Sequence, residues 1–232
     1  MKSCPPRCHT GSVPAQGIHS TNAPPPGAAG HTGAMNAAAA VDAARVDAAM
    51  AATPRTGFLH AADRARAQHD GPIAIGQGQT NSQPRTVRDM LLLLDVQPGQ
   101  RVLDVGAGSG WTTAILGRLV GDRGRVIGVE RIAAVCEFGQ QNLARVDLPH
   151  IEIRLADGRL GAPQDGPFDR ILVSAQPDEL PDELVDQLAP GGVLVIPVAG
   201  QMLRVLAPAQ PGAAPTVSTH GRYLFVPLVT DD

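Results

Sequence analysis

The chain has 232 residues, 43% of them hydrophobic, and a formal net charge of -3. That length holds one sizeable domain with a tail but not two full domains, and so weak a charge offers no global field for nucleic acid or an anionic membrane. No run approaches the roughly 20 apolar residues that cross a bilayer, and Cys4, Cys8 and Cys136 cannot build a disulfide framework. A cytoplasmic protein with neither nucleic acid nor membrane as partner is the expectation.

Residues 1–40 hold Pro24-Pro25-Pro26, scattered Gly and Ser, and no acidic residue. Such a segment buries too little apolar surface to offset its ordering entropy, so a disordered tail is expected. Lys2 and Arg7 are followed by Pro5, Pro6, Gly11 and Pro14 in place of an apolar stretch, which argues against a secretory leader. Met35 is a plausible alternative start. Cys4, Cys8 and His9 lack a second cluster to complete four ligands, so no metal site is expected.

Residues 41–95 read as an N-terminal helical segment, and 96–232 as the core. The Ala-rich run from Ala37 to Ala52 favours a helix, which Thr53-Pro54 closes. Gly71 to Gly78 reads as an extended loop. Pro84 can begin a helix that carries Val87, Met90, Leu91 and Leu94 on one face, and Pro98-Gly99 turns out of it. Ser82 is placed as its N-cap or as an exposed donor.

From there short apolar strands alternate with helical stretches. Strands are expected at Arg101–Val105, Arg125–Glu130, Ile151–Asp157, Phe168–Ser174 and Val193–Val198, and helices at Trp111–Val120, Ala133–Val146 and Pro181–Leu188. This alternation predicts an α/β fold with a doubly wound, mostly parallel sheet. Met202–Ala207 and Tyr223–Val229, joined across Pro208–Pro215, add an antiparallel pair at the C-terminal edge. Asp169, at the start of its strand, is assigned a structural role.

The strongest motif is Val102-Leu103-Asp104-Val105-Gly106-Ala107-Gly108-Ser109-Gly110. A strand runs into three alternate glycines that allow a tight turn and close ligand approach, at the strand end where such sheets bind ligands. Several nucleotide-binding loops share the pattern. GxGxG in place of GxGxxG moves the reading from a dinucleotide towards S-adenosylmethionine. Glu130 ends the next strand and can accept both ribose hydroxyls, a feature that supports an adenosine without choosing the cofactor. Asp157-Gly158 follows the third strand, with Asp157 placed either for the adenine amino group or in an ordinary Asx turn.

Gly76-Gln77-Gly78-Gln79-Thr80-Asn81-Ser82-Gln83-Pro84 resembles the G-x-G-Q-T-I-S-Q-P signature of the protein-L-isoaspartate O-methyltransferase family. Further matches run in order from Val46, Thr53-Pro54-Arg55 and Phe58 through the glycine loop, Val129-Glu130-Arg131, Asp157-Gly158, Pro167-Phe168-Asp169-Arg170-Ile171 and Gly191-Gly192 to Phe225-Val226-Pro227-Leu228. They cover roughly Val41 to Val229. The resemblance implies a Rossmann-like, seven-stranded methyltransferase core with rearranged last strands and no metal. It implies that 41–95 contacts substrate, that Gln79, Thr80 and Ser82 line the junction of cofactor and substrate with Gln79 and Thr80 binding the cofactor, and that Ser82 holds an isoaspartyl carboxylate. Gly106, Gly108, Ser109 and Gly110 would cradle the cofactor, Glu130 would take its ribose, and Asp157 and Gly158 would border adenine.

The implied activity is methylation of isoaspartyl or D-aspartyl residues in damaged proteins, by a monomer, with repair through a succinimide. Three departures stand out: Asn81 replaces an apolar residue, Trp111 replaces Tyr, and Gln176-Pro177-Asp178 stands where the family's V-T-A-A-A-P-E-I-P has A-A-P. The last motivates an alternative acceptor, an aspartate in a dedicated precursor peptide or a small molecule. A non-catalytic adenosine-binding module is the reading from another class.

Overall fold

The computed structural model describes residues 43–210 and 212–229. The expected tail at 1–40, its cysteines and Met35 lie outside the described residues, as does the first part of the helix expected from Ala37. What is described of that helix, α1, spans 43–51. Its end is fixed by Thr53, whose Oγ1 donates to the Ala49 carbonyl at 2.8 Å.

Two expectations for the next segment are corrected. Gly71–Gly78 is not a plain loop: β1 (Ile73–Gly76) and β2 (Gln79–Asn81) form an antiparallel hairpin. Gly76, Gln77 and Gly78 all take positive φ, which turns the chain within two residues. Ser82 is not the N-cap of α2 (Pro84–Leu94) either; Gln83 is, and it makes no side-chain cap bond. Pro at the first helical position has no N–H to satisfy. The face of α2 that enters the core carries Val87, Met90, Leu91 and Leu94.

The main sheet has seven strands in the order β5-β4-β3-β6-β7-β8-β9. The strands are β3 (Arg101–Val105), β4 (Arg125–Glu130), β5 (Ile151–Leu155), β6 (Phe168–Val173), β7 (Leu188–Val198), β8 (Gln201–Leu206) and β9 (Thr216–Arg222). Pairings among the first five are parallel, whereas β7–β8 and β8–β9 are antiparallel. Helices α3 (Trp111–Val120) and α4 (Ala133–Leu143) follow β3 and β4. Side chains alternate between faces, so neighbouring residues of one strand serve two cores. Val102, Val126 and Leu172 pack with α2 and α3, while Leu103, Ile127 and Ile171 join Leu184 on the other side.

Several element ends differ from expectation by up to three residues, as where α4 stops at Leu143 and β5 at Leu155, and three differences are larger. Helix α5 is only Asp182–Val185, because Gln187 is held in place by its side chain: Oε1 accepts from the Ala162 N–H, and Nε2 donates to the Leu160 and Glu183 carbonyls. Leu188 then already pairs with Phe168, so β7 starts five residues before Val193. The edge strand is Thr216–Arg222 and not Tyr223–Val229, which instead returns to the sheet's carboxyl end. There the Gln176 N–H donates to the Val226 carbonyl and the Leu228 N–H to the Gln176 carbonyl, both at 2.8 Å. Asp169 accepts from the Arg101 N–H, its expected structural role. Among the described residues, no helix is long and apolar enough to cross a membrane.

Candidate active site

Strand order reverses between β3 and β6, and a crevice opens beyond their carboxyl ends. It is a cleft of roughly 480 Å³, within the range of small-molecule sites. Gly106 to Ser109 line one side and Gln79 to Ser82 another, with Glu130, Gly158, Pro177, Asp178 and Val226 to Val229 completing the rim. The two segments singled out in the sequence therefore face the same space.

The glycine loop takes its shape from its backbone. Gly106, Gly108 and Gly110 have φ of 77°, 55° and 83°, a region that side chains with a Cβ rarely adopt. The N–H groups of Gly106 and Ala107 both donate to the Val129 carbonyl, which ties the loop to β4. Below the loop, α4 comes close at Gly139, where an added Cβ would sit 2.5 Å from the Gly108 carbonyl oxygen. One turn further along the same helix, Asn142 Nδ2 donates to the Ser109 carbonyl at 3.0 Å.

Glu130 is buried at the end of β4. Its carboxylate accepts from the Gly108 N–H and the Ile132 N–H, each at 3.0 Å, and it lines the cleft. These bonds fix it while leaving each oxygen a further lone pair for a ligand hydroxyl. Asp104, one layer deeper, is fully buried. Thr113 donates to its Oδ2 at 2.7 Å, and its Oδ1 has no partner among protein atoms. Burial, with the Glu130 charge nearby, pushes its carboxyl up to about 7.

Asp157 takes the simpler of its two expected places. Its exposed side chain accepts from the Arg159 N–H in an Asx turn, and Ala156, Gly158 and Arg159 line the cleft in its stead. Glu130, Gly158, Gly106 to Ser109 and Gln79 to Ser82 are brought together around one space; the Asp157 carboxylate and Gly110, which packs against Gly139 and Leu143, are not.

The Gln79–Ser82 side of the cleft is built on Arg55, marked in the sequence only by its match to the family pattern. Arg55 is buried beneath the hairpin and donates to the carbonyls of His69, Gly71, Asn81 and Ser82, each at 2.9 Å. Its Nε donates to Asn81 Oδ1 at 2.6 Å, and its guanidinium lies 5.6 Å from the centroid of the Trp111 ring. Trp111 in turn donates to the Thr53 carbonyl. The only signal for Arg55 was its place after Thr53-Pro54. Asp104 and Gly139 had clearer signals, a carboxylate within an apolar strand and a lone glycine within a helix.

Neither His nor Cys lines the cleft among the described residues, and no three His, Cys, Asp or Glu side chains are grouped to hold a metal ion. The lining suits an adenosine-bearing ligand. Glu130 is an acceptor at the strand end, and the backbone of the glycine loop can be approached without a Cβ in the way.

Comparison with known proteins fits this geometry. The family model for protein-L-isoaspartate(D-aspartate) O-methyltransferase matches residues 34–232. A protein-L-isoaspartate O-methyltransferase of Aeropyrum pernix is 43% identical over 192 residues, 82% of this chain and 74% of the relative. One from Hahella chejuensis is 44% identical over 185 residues, 78% of this chain and 85% of the relative. A crystal structure of a Plasmodium falciparum protein described by the same name, in complex with S-adenosyl-L-homocysteine, superposes with a TM-score of 0.71 at 25% identity, covering 81% of this chain and 91% of that one. The chain belongs to the protein-L-isoaspartate (D-aspartate) O-methyltransferase family.

Proposed function

We propose that this chain transfers the methyl group of S-adenosylmethionine to the side-chain carboxylate of isoaspartyl residues in damaged proteins and peptides. The observation that carries the reading is the shared cleft, in which the glycine loop and the Gln79–Ser82 segment face each other. The bound sulfonium supplies an already activated methyl group.

This chain's part is binding, alignment and exclusion of water. An ordinary carboxylate, with a pKa of about 3.9, is ionised at neutral pH and needs no general base. A cleft lined among the described residues by neither His nor Cys suits such a reaction. Positioning alone can supply roughly 7–11 kcal/mol. Glu130 and the glycine loop hold the cofactor, and Gly158 borders its adenine. Ser82 donates its hydroxyl to the acceptor carboxylate and orients it for in-line attack, with Gln79 and Thr80 alongside. The product ester then loses methanol as the following backbone nitrogen closes a succinimide, whose hydrolysis returns part of the material to aspartyl linkage. The enzyme acts as a monomer in the cytoplasm, without nucleic acid or membrane; a cleft completed by one chain is in keeping with that.

Pro177 and Asp178, which depart from the family pattern, stand on the rim and favour a second reading, a specialised relative that takes an aspartate in a dedicated peptide or a small molecule. The test is transfer of labelled methyl to matched isoaspartyl and aspartyl peptides. Strong preference for the isoaspartyl peptide is expected. Preference for the aspartyl peptide selects the second reading, and transfer to neither refutes both as peptide reactions.

A further inference from the structure

The geometry points to Asn81 as a positioning residue that locks the acceptor segment to the cofactor loop, an inference that rests on the proposed methyl transfer for its purpose but not for its test. Asn81 is a polar residue buried in the wall of the cleft, at a position where the family signature carries an apolar side chain. Both ends of its amide are used. Oδ1 accepts from Arg55 Nε at 2.6 Å, and Nδ2 donates to Ser109 Oγ at 2.9 Å.

The two contacts have different consequences. Arg55 already clamps the carbonyls of Gly71, Asn81 and Ser82, so its bond to Oδ1 fixes the Asn81 side chain to a rigid base. The second bond crosses to another element altogether. Ser109 stands between Gly108 and Gly110, whose positive φ leaves the loop dependent on outside contacts for its shape. Asn142 holds the Ser109 carbonyl, Glu130 holds the Gly108 N–H, and Asn81 holds the Ser109 hydroxyl. Of these three, only Asn81 comes from the segment that carries Gln79, Thr80 and Ser82.

A buried amide satisfied at both ends is specific in a way an apolar contact is not, because a shift of either partner leaves a desolvated polar group unpaired. The Arg55–Asn81–Ser109 chain therefore sets the distance between the segment that presents the acceptor and the loop that presents the methyl donor. An apolar residue could pack against the same loop but would leave the two free to slide.

The test is a double-mutant cycle read in S-adenosylhomocysteine affinity by calorimetry on the full chain. The proteins are wild type, Asn81→Ala, Ser109→Ala and the double variant, with thermal unfolding to establish that each is folded. Each single change is expected to weaken binding by about tenfold, and the double change by no more than the worse single, since residues in one network couple. Losses that multiply overturn the proposal, as does unchanged affinity in Asn81→Ala. If Asn81→Ala does not fold, Asn81→Ile fills the same space and serves in the cycle.

Asn81→Asp keeps an acceptor for Arg55 and can accept from the Ser109 hydroxyl. It is expected to bind within about threefold of wild type, and a loss as large as that of Asn81→Ala counts against the tie. Failure of the two readings is separable. Coupled losses in an enzyme that leaves isoaspartyl peptide unmethylated refute the function and keep the tie. Multiplied losses in one that methylates it do the reverse.

Discussion

Asp104 makes the stability of this protein depend on pH in a direction opposite to that of most carboxylates. Its folded-state value of about 7 lies above the ordinary 3.8. Between those values the unfolded chain has lost its proton and the folded chain has kept it. The folded state is thus unpenalised below about pH 4, loses stability as pH rises, and carries the full penalty above about pH 7. A difference of about three units at 1.36 kcal/mol each sets the whole effect at about 4 kcal/mol.

Most of the usable window lies between about pH 5.5 and pH 7, where the loss comes to about 2 kcal/mol. Asp104→Asn removes the titration. Its amide oxygen can keep the bond from Thr113 Oγ1, while its NH2 faces the site where Oδ1 now has no partner. The variant is therefore expected to differ from wild type by a pH-dependent amount and not by a fixed one. Urea unfolding at about pH 5.5 and about pH 8 measures it. The stability of the Asp104→Asn variant relative to wild type should rise by about 2 kcal/mol across that interval, or roughly 4–8 °C in Tm for a domain of this size. Parallel pH dependence in the two proteins would refute the reasoning, because the carboxyl would then titrate as it does in water.

Glu130→Gln replaces a carboxylate that accepts two backbone N–H groups with an amide that can accept at only one oxygen. Loss of one charge-assisted bond, about 1.5–3 kcal/mol, predicts S-adenosylhomocysteine binding weaker by about ten- to a hundredfold in calorimetry; a change below about threefold would exclude the ribose role. Ser82→Ala is expected to lower kcat/KM for isoaspartyl peptide by about tenfold, the worth of one hydrogen bond, with cofactor affinity held; undiminished turnover in the methyl-transfer assay would remove Ser82 from the site. Gly139→Ala puts a Cβ 2.5 Å from the Gly108 carbonyl oxygen. Overpacking of this kind costs about 1–3 kcal/mol, so denaturant unfolding should show that loss together with weaker cofactor binding.

Much of the architecture was legible because its elements have strong local signatures. The four apolar residues of α2, the strand ends at Arg101–Val105 and Arg125–Glu130, and helix Trp111–Val120 all stand where periodicity put them. What could not be read depended on partners distant in sequence. The Pro181–Leu188 helix is cut short by a glutamine side chain that reaches Leu160 and Ala162. The final edge strand precedes Tyr223 because the Phe225–Leu228 stretch is recruited by Gln176.

The site divides the same way. Glycine spacing and a strand-end carboxylate mark a ligand-approachable loop from local pattern alone, and Gly106 to Ser109 and Glu130 do line one cleft. Asn81, which had no account in the sequence, acquires one only when Arg55 and Ser109 are seen on either side of it. Asp157 shows the converse, a residue in the right register whose carboxylate serves its own turn.

A crystal of this protein with S-adenosylhomocysteine and an isoaspartyl peptide bears most directly on the account. The sulfur should lie between the Gly106–Gly110 loop and the Gln79–Ser82 segment, with the ribose on Glu130 and the peptide carboxylate within hydrogen-bond reach of Ser82 Oγ. A sulfur lodged elsewhere, or a carboxylate held on the far side of the cleft from Ser82, would contradict it.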